Sequence, residues 1–224
     1  MLKKRTIKSF VNRKGRESSS DIEAIQKAKD AGILIFPKEK ENVIRFEKNS
    51  KNEKDVVIDI GFGNGNLLYE IAKKNSDINF VGIEVYKHGV GKLLKKIIQA
   101  NIKNINVIYD DANEILEKNI EDNSVKGISI FFPDPWPKKK HKKRRLVNST
   151  FLELMISKVK EGGFIKVVTD IEDYANDIKS IFNYSNSIQQ IKELKLFNNR
   201  DVTKYELKGI EKGHSIFDLS YKIL

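Results

Sequence analysis

The segment at residues 56–72, "VVIDIGFGNGNLLYEIA", joins a short run of β-branched residues to an amphipathic stretch through three glycines. Its first five residues are typical of a buried β-strand, and apolar residues recur at helical spacing over 67–72. Gly61, Gly63 and Gly65 lie between the two, where glycine allows a sharp turn and a close approach of the backbone to a ligand. The segment therefore predicts a strand, a ligand-binding loop and a helix in direct succession.

The same alternation of β-branched runs and longer amphipathic stretches continues along the chain. Further strands are predicted at 79–85, 105–109, 125–132 and 162–170, and further helices near 93–98, 151–159 and 172–182. Strands that alternate with helices in this way favour an α/β fold, a Rossmann-like, mostly parallel sheet with helices on both faces. The last apolar segments, 187–197 and 214–224, have β character with no helix between them, and we expect them to close the sheet as an antiparallel strand pair.

Length and composition narrow the class of protein. A chain of 224 residues can bury one sizeable core, and we assign 51–224 to one domain and 1–50, which lacks the alternation, to a basic N-terminal extension. No apolar run approaches the length of a membrane span, and no hydrophobic signal core follows the basic N-terminus, so we expect a cytoplasmic protein. The absence of cysteine excludes disulfides and cysteine nucleophiles, and the three histidines lack companion ligands, so no metal site is expected.

The formal net charge of +11 is concentrated in two short segments. Residues 1–16 and 138–145 carry seven basic residues each and no acidic residue. Over the rest of the chain, acidic residues slightly outnumber basic ones. Such an arrangement favours a localised contact with a polyanion, although a lysine-rich run can also be a solvated face.

The glycine loop by itself is compatible with several classes of enzyme. A dinucleotide-binding fingerprint needs a third glycine at position 66, where the chain has Asn66, and the Lys-Ser/Thr ending of a P-loop is missing. Carboxylates recur at successive strand ends, at Asp59, Glu84 and Asp111, and Glu84 lies at the spacing of a ribose-binding acid. Several carboxylates would repel a pyrophosphate but suit a cation. The predicted cofactor is S-adenosylmethionine, which combines a sulfonium, an ammonium and a ribose.

A second informative stretch is "FFPDPWPKKKHKKRR" at residues 131–145. Its three prolines restrict the backbone, so that Asp134 and Trp136 are presented on a stiff loop. The indole of Trp136 could stack on a nucleobase, and an ionised Asp134 matches the paired N–H donors on the edge of guanine. The adjacent cations would bind the phosphates of the same nucleic acid. The alternative is a proline-rich turn whose tryptophan packs into the core.

At these residues the chain resembles the tRNA (guanine-N7-)-methyltransferases. The peptide 132–138, "FPDPWPK", followed by His141 and by 143–145, is similar to the signature of this family, and the resemblance covers nearly the whole chain. It implies a class I methyltransferase fold, S-adenosylmethionine as cofactor, tRNA as substrate and a guanine of the variable loop as target. One departure is Asp59, because members of the family usually carry glutamate before Ile-Gly.

The resemblance also implies roles for individual residues. Cofactor binding is expected at Asp59, Gly61, Gly63, Gly65, Glu84, Asp111 and Ala112, and substrate binding at Lys138, Asp170, Thr203 and Glu206. RNA binding is expected at Trp136, Lys140, His141, Lys142, Lys143, Arg144 and Arg145, and at Arg13 and Arg16 of the N-terminal motif. Without the family, Thr203 and Glu206 have the spacing of a helix capping box, and Asp170 could cap the following helix.

Guanine N7 carries a lone pair and no proton, so methylation there needs no general base. We expect Asp134 to be the catalytic residue, which orients the base and stabilises the positive charge that develops on it. Three alternatives stay open: a methyltransferase acting on another RNA atom, an NAD-dependent oxidoreductase and a non-catalytic RNA-binding subunit. An adenine N6 enzyme would show an Asn/Asp-Pro-Pro-aromatic peptide, and attack through pyrimidine C5 would need a cysteine. The sequence is compatible with a monomer or a homodimer.

Overall fold

The computed structural model describes residues 8–10, 18–35, 44 and 54–224. In chain order they form α1 (Ser19–Asp30), β1 (Leu34–Ile35), β2 (Val56–Ile60), α2 (Asn66–Lys74), β3 (Asn79–Ile83), α3 (Lys87–Gln99), β4 (Ile105–Ile108), α4 (Ala112–Asn119), β5 (Val125–Phe131), α5 (Ser149–Lys158), β6 (Val159–Thr169), α6 (Glu172–Asn183), β7 (Ile188–Ile191), α7 (Lys204–Glu211) and β8 (Phe217–Ile223). Short 3-10 helices cover Lys139–Arg144 and Lys195–Phe197. Within those ranges, no helix has the length and apolar character that crossing a membrane requires.

The strands of the described residues form one eight-stranded sheet in the order β1-β4-β3-β2-β5-β6-β8-β7. The pairs among β1 to β6 are parallel, whereas β8 runs antiparallel to both β6 and β7. Strand order reverses between β2 and β5, since β3 and β4 lie on one side of β2, and β5 and β6 lie on the other. Ligands of open α/β sheets bind beyond the carboxyl ends of the strands at such a point. The loops after β2, β3 and β5 are therefore placed to form a site.

The hydrophobic core lies on both faces of the sheet, and β2 contributes to both. Ile58 packs in one cluster with Tyr174 of α6, and Val57 packs in the other cluster with Leu93 of α3. Successive side chains of a strand point to opposite faces, so a strand covered on both faces reads as a continuous apolar run. This double burial explains why "VVIDI" predicts the bounds of β2 correctly.

The predicted strands are confirmed with small differences at their ends, and the antiparallel C-terminal pair is confirmed as β7 and β8. The expectation that no helix separates this pair is wrong, because α7 lies between the two strands. Its buried residues are Glu206 and Gly209, while Tyr205, Leu207 and Ile210 are exposed. The helix is thus held by polar and backbone contacts, and it shows no apolar stripe that the sequence could reveal. The short helix α4 is a further element that the sequence reading lacks.

Helix α1 and strand β1 lie within the segment that the sequence assigns to the N-terminal extension. Ala24 and Ala28 of α1 are buried, and β1 extends the sheet beside β4. Gly91 of α3 lets the two helices approach closely, since a Cβ on Gly91 would lie 2.8 Å from the Cβ of Asp21. A helix that buries two alanines carries a weak hydrophobic pattern. For that reason the alternation of strand and helix patterns in the sequence does not reveal α1.

Candidate active site

The glycine loop after β2 adopts a conformation that side chains disfavour. Gly61, Gly63 and Gly65 have φ angles of 74°, 59° and 71°, in the left-handed region. A Cβ built on Gly61 or Gly63 would have no neighbour within 4 Å, so these two positions face open space. A Cβ on Gly65 would lie 2.7 Å from the side chain of Leu93. The first two glycines thus leave room for a ligand, and the third allows α2 and α3 to pack together.

Glu84, directly after β3, holds this loop in place. Its Oε2 accepts the N–H of Gly63 at 2.8 Å, and its Oε1 accepts the N–H groups of Val85 and Tyr86 at 2.7 and 2.9 Å. Burial raises the pKa of Glu84 against the effect of these donors, and the negative charge of Asp134 raises it further. Because β2 and β5 are neighbouring parallel strands, the loop after β5 lies beside the glycine loop.

Asp111 and Ala112 lie at the start of α4. The Oδ1 of Asp111 accepts the N–H of Asn113 at 3.0 Å, which makes Asp111 the N-cap of the helix, and Ala112 is buried. Burial raises the pKa of this half-buried carboxyl. The Asp111 carboxylate therefore caps α4 through Asn113, and the rest of the carboxylate reaches solvent at the carboxyl end of β4.

Asp59 differs from the other predicted cofactor residues, because the residue is 5% exposed and its carboxyl group bonds to a neighbouring strand. The hydroxyl of Ser129 on β5 donates to Oδ1 of Asp59 at 2.8 Å. Burial raises the pKa of Asp59 to about 7, Ser129 opposes this shift, and the charge of Glu84 adds to it. Within the protein, Asp59 thus links β2 to β5 beneath the glycine loop.

These residues fit an S-adenosylmethionine molecule. The glycine loop provides open space, and Glu84 and Asp111 place carboxylates around it on the ends of neighbouring strands. Carboxylates attract a sulfonium and an ammonium, and they accept hydrogen bonds from a ribose diol. Among the described residues, no group of three or more His, Asp or Glu side chains could hold a metal ion. The donor set therefore suits an organic cation.

The loop after β5 carries Asp134 and is held in a strained conformation. Phe132 and Trp136 have φ angles of 53° and 43°, in a region that residues other than glycine seldom adopt. The N–H of Phe132 donates to the carbonyl of Val168 on β6 at 2.7 Å, which fixes the start of the loop. Asp134 is exposed between these two residues. Strain of this kind is typical of functional sites whose surroundings enforce the geometry.

Arg145 supports this loop from inside the protein. It is 4% exposed, its Nε donates to the carbonyl of Pro135 at 2.9 Å, and its guanidinium forms ion pairs with Asp173 and Asp177 of α6. The guanidinium also lies 4.5 Å from the ring centroid of Tyr174. All three nitrogens of the guanidinium thus bond to protein oxygens, so that Arg145 supports the loop in this structure, and its predicted contact with RNA stays a prediction.

Trp136 and Arg144 hold residues 8–10 of the N-terminal segment against the loop. The indole Nε1 donates to the carbonyl of Ser9 at 2.9 Å, and Arg144 donates to the carbonyls of Lys8 and Phe10 at 3.1 Å each. The guanidinium of Arg144 lies 3.9 Å from the centroid of the indole ring. The N–H of Trp136 and part of its ring are thus occupied within the protein, since the His141 ring also lies 5.8 Å from the indole in a T-shaped arrangement; stacking of Trp136 on a base stays a prediction.

The cations before Arg144 form the exposed part of the basic segment. Exposed side chains are those of Lys138, Lys139, Lys140 and Lys143. Lys142 is partly committed, since its ammonium lies 2.6 Å from Asp173. Desolvation and the neighbouring cations lower the pKa of His141, which keeps this ring neutral at physiological pH. Of the other predicted RNA contacts, Arg13 and Arg16 lie outside the described residues.

The predicted substrate residues near the C-terminus meet around α7. Oγ1 of Thr203 accepts the N–H of Glu206 at 3.1 Å, and Oε2 of Glu206 accepts the N–H of Thr203 at 3.2 Å, so the capping box is confirmed. Nδ1 of His214 lies 3.0 Å from Oδ2 of Asp170. Gly209 lets α7 pack on Asp170, since a Cβ there would lie 2.9 Å from the Cβ of Asp170.

Arg200 and His214 are two residues of this region that sequence reasoning misses. Neither belongs to a recognisable motif, and each is identified by its partner in the structure, Glu206 for Arg200 and Asp170 for His214. The sequence offers a weak signal for them, namely one arginine and one histidine close to the Thr203 capping box.

Comparisons with known proteins agree with this geometry. A family model described as "Putative methyltransferase" matches residues 53–219. Among solved structures, the chain is similar to an rRNA methylase from Streptococcus thermophilus, with a TM-score of 0.52 and 13% identity over 77% of this chain and 89% of that one. It is also similar to an S-adenosylmethionine-dependent methyltransferase from Aquifex aeolicus, with a TM-score of 0.52 and 17% identity over 78% and 85% of the two chains. The fold is that of the class I S-adenosylmethionine-dependent methyltransferases.

Relatives at higher identity define the family within this class. A tRNA (guanine-N(7)-)-methyltransferase of Buchnera aphidicola subsp. Acyrthosiphon pisum (strain Tuc7) is 39% identical over 98% of this chain and 92% of the relative. A tRNA (guanine-N(7)-)-methyltransferase of Legionella pneumophila (strain Lens) is 37% identical over 97% of this chain and 98% of the relative. The chain belongs to the tRNA (guanine-N7-)-methyltransferase family.

Proposed function

We propose that the protein transfers the methyl group of S-adenosylmethionine to N7 of a guanine in the variable loop of tRNA, giving 7-methylguanosine, in the cytoplasm. The observation that carries the proposal is the position of Asp134, exposed on a strained loop, with its charge acting on Glu84 at the glycine loop and with exposed lysines directly after it. These neighbours support a role for the carboxylate between a cofactor and a polyanion.

The residues of the glycine loop and its neighbours hold the cofactor in this proposal. Gly61 and Gly63 admit it to the carboxyl end of β2, the one acceptor site left on Glu84 takes a hydrogen bond from its ribose, and Asp111 lines the adjacent edge. When bound, S-adenosylmethionine supplies an electrophilic methyl group on a sulfonium, whose sulfur leaves as a neutral thioether. The carboxylates around the loop favour a cationic ligand over an anionic one, which excludes a dinucleotide from the same space.

Asp134 orients the target base and stabilises it as it becomes positively charged. Its carboxylate can accept two hydrogen bonds from the N1–H and N2–H2 edge of guanine, which fixes the base so that N7, on the opposite edge of the purine, can face the cofactor. The lone pair of N7 forms the new bond to carbon, no proton is removed, and the purine gains a positive charge. A fixed carboxylate beside that ring lowers the energy of the transition state more than that of the neutral ground state.

The exposed lysines at 138–140 and Lys143 bind the phosphates around the target nucleotide in this proposal. A guanine within a folded tRNA must also leave its stack before N7 reaches the cofactor, at a cost of about a few kcal/mol. Backbone contacts on either side of the extruded base offset this cost. Because each phosphate contact releases counterions, tRNA affinity is expected to fall steeply as salt rises.

The proposal is tested with purified protein, labelled S-adenosylmethionine and an unmodified tRNA transcript. We expect 7-methylguanosine among the nucleosides, and chemical cleavage of the RNA at the modified position should map it to the variable loop. A matched transcript with adenine in place of the variable-loop guanine should accept no label. Label on that control transcript, or label without 7-methylguanosine, would overturn the proposal.

A further inference from the structure

Arg200 forms the centre of a buried polar corner formed by Arg200, Thr203 and Glu206. Its Nη1 lies 2.6 Å from Oε2 of Glu206 and its Nη2 lies 2.9 Å from Oε1, so the two side chains form a bidentate pair. The side chains of both residues are 11% exposed. Charge-assisted bidentate pairs in a water-poor environment are among the strongest side-chain contacts and fix both partners in direction.

The pair leaves the Glu206 carboxylate with little capacity for another donor. A carboxylate offers about four acceptor sites. Arg200 uses two of them, and the N–H of Thr203 uses a third, at 3.2 Å from Oε2. The direction of Glu206 and the position of Thr203 are therefore set by one guanidinium.

Arg200 also connects this corner to the strand that carries the Asp134 loop. Its guanidinium lies 5.2 Å from the ring centroid of Phe131, the last residue of β5. Asp134 follows Phe131 by three residues in the chain. One arginine thus contacts both the α7 corner and the base of the Asp134 loop, which are separated by about seventy residues in the sequence.

A second buried cation, Lys166, lies near Arg200 and Glu206. Lys166 on β6 is 4% exposed, forms an ion pair with Asp218, and donates to Oγ of Ser220 at 3.1 Å. The pKa of Lys166 is lowered by desolvation and, to a smaller extent, by the positive charge of Arg200. Without the guanidinium of Arg200, the buried carboxylate of Glu206 would lose its bidentate counter-ion, which is costly even though the charge of Lys166 would still act on it.

We infer that Arg200 is a positioning residue for the methyl transfer: through Glu206 it holds Thr203 in register with the Asp134 loop, so that Thr203 and the loop contact the same nucleotide. The inference rests on the proposed function, because it assigns the corner to tRNA and not to the cofactor. Arg200 acts through Glu206 and Phe131, and the cofactor-binding residues are on the other side of β5.

The test compares Arg200→Gln, Arg200→Lys and Glu206→Gln with the wild-type protein. We expect Arg200→Gln to raise KM for tRNA at least tenfold, while Kd for S-adenosylmethionine stays within twofold. Arg200→Lys should restore part of the loss, since lysine keeps the charge but lacks the planar fork. The double variant Arg200→Gln/Glu206→Gln should be no worse than either single variant, because the two residues act as one unit. Lys195→Gln removes an exposed cation from the same segment and serves as the matched control, with wild-type kinetics.

Each outcome decides the inference. Wild-type KM in a folded Arg200→Gln protein would overturn it, and so would an equal weakening of tRNA and S-adenosylmethionine binding, which indicates general damage. If Arg200→Gln fails to fold, Arg200→Lys and Glu206→Gln provide the same comparison. Failure of the proposed function is recognised separately, because the wild-type protein would then form no 7-methylguanosine in tRNA.

Discussion

On the cofactor side of the site, the loop at 61–65 is fixed by the conformation of its own backbone and by contacts with the ends of neighbouring strands. The glycines adopt left-handed conformations, the carboxylate of Glu84 accepts three backbone N–H groups, and Asp111 caps the helix on the adjacent edge. On the substrate side, arginines hold the loop at 132–145 through partners that are distant in sequence: Arg144 bonds to residues 8–10, Arg145 pairs with α6, and Arg200 contacts Phe131 at the base of the loop. One side is preorganised by the backbone and the other by ion pairs. Perturbations of the two sides should therefore have different effects.

The largest expected effect is on turnover, from Asp134→Asn. This substitution keeps the shape of the side chain but removes its charge, so kcat for tRNA should fall about 100-fold or more, in line with the loss of one preorganised electrostatic group. Kd for S-adenosylmethionine, measured by calorimetry, should change less than twofold. Asp77→Asn, an exposed aspartate in the turn before β3, is the control and should retain wild-type turnover. An Asp134→Asn protein with normal turnover would show that the substrate side does not depend on this charge.

A change in pH should perturb the cofactor side through Asp59. Burial raises the pKa of Asp59 to about 7 in the folded protein, whereas an unfolded chain has an aspartate pKa of about 3.9. Between these values the folded state holds a proton that the unfolded state has released, so the free energy of unfolding falls as pH rises, by about 4 kcal/mol over the interval. Asp59→Asn removes this dependence, and its stability should exceed that of the wild type most clearly above pH 7.

The Asp59 prediction is checked by urea denaturation of both proteins at several pH values. Equal pH slopes for wild type and variant would contradict it. Binding of S-adenosylmethionine to the same variant separates the structural role from the proposed cofactor contact, because a residue that bonds only to Ser129 should leave Kd nearly unchanged.

A steric change tests how firmly the cofactor side is held. In Gly65→Ala, the new Cβ would be strained by the left-handed φ of 71° and would lie 2.7 Å from the side chain of Leu93. Gly162→Ala is a matched control, since its φ is also 71° but its nearest neighbour would be 3.9 Å away. The control should lose about 1–2 kcal/mol from conformation alone, and Gly65→Ala should lose a further 1–3 kcal/mol from overpacking. Equal losses of stability for the two variants in chemical denaturation would indicate that the side chain of Leu93 moves aside with no loss of free energy.

The difference between the two sides also explains what the sequence can reveal. The bounds of β2, the glycine loop and the acids at successive strand ends are local patterns, and parallel topology brings strand ends together without further information. The contacts of the substrate side join distant residues, such as Trp136 to Ser9 across 127 positions. Nothing in the pattern around Arg145 or Arg200 distinguishes a buried support from a surface cation. The sequence therefore identifies the Asp134 loop but not what holds it.

The smallest expected effects separate the buried support from the exposed cations of the basic segment. Arg145→Gln removes ion pairs with Asp173 and Asp177, both partly exposed, and a hydrogen bond to Pro135, so stability should fall by about 1–3 kcal/mol. Lys143 is exposed, and Lys143→Gln should change stability by less than about 0.5 kcal/mol while reducing the salt dependence of tRNA binding by about one counterion. Thermal unfolding and filter binding at several salt concentrations measure both. A stable Arg145→Gln protein that loses tRNA affinity at every salt concentration would instead make Arg145 a direct RNA contact, exposed by movement of the loop when tRNA binds.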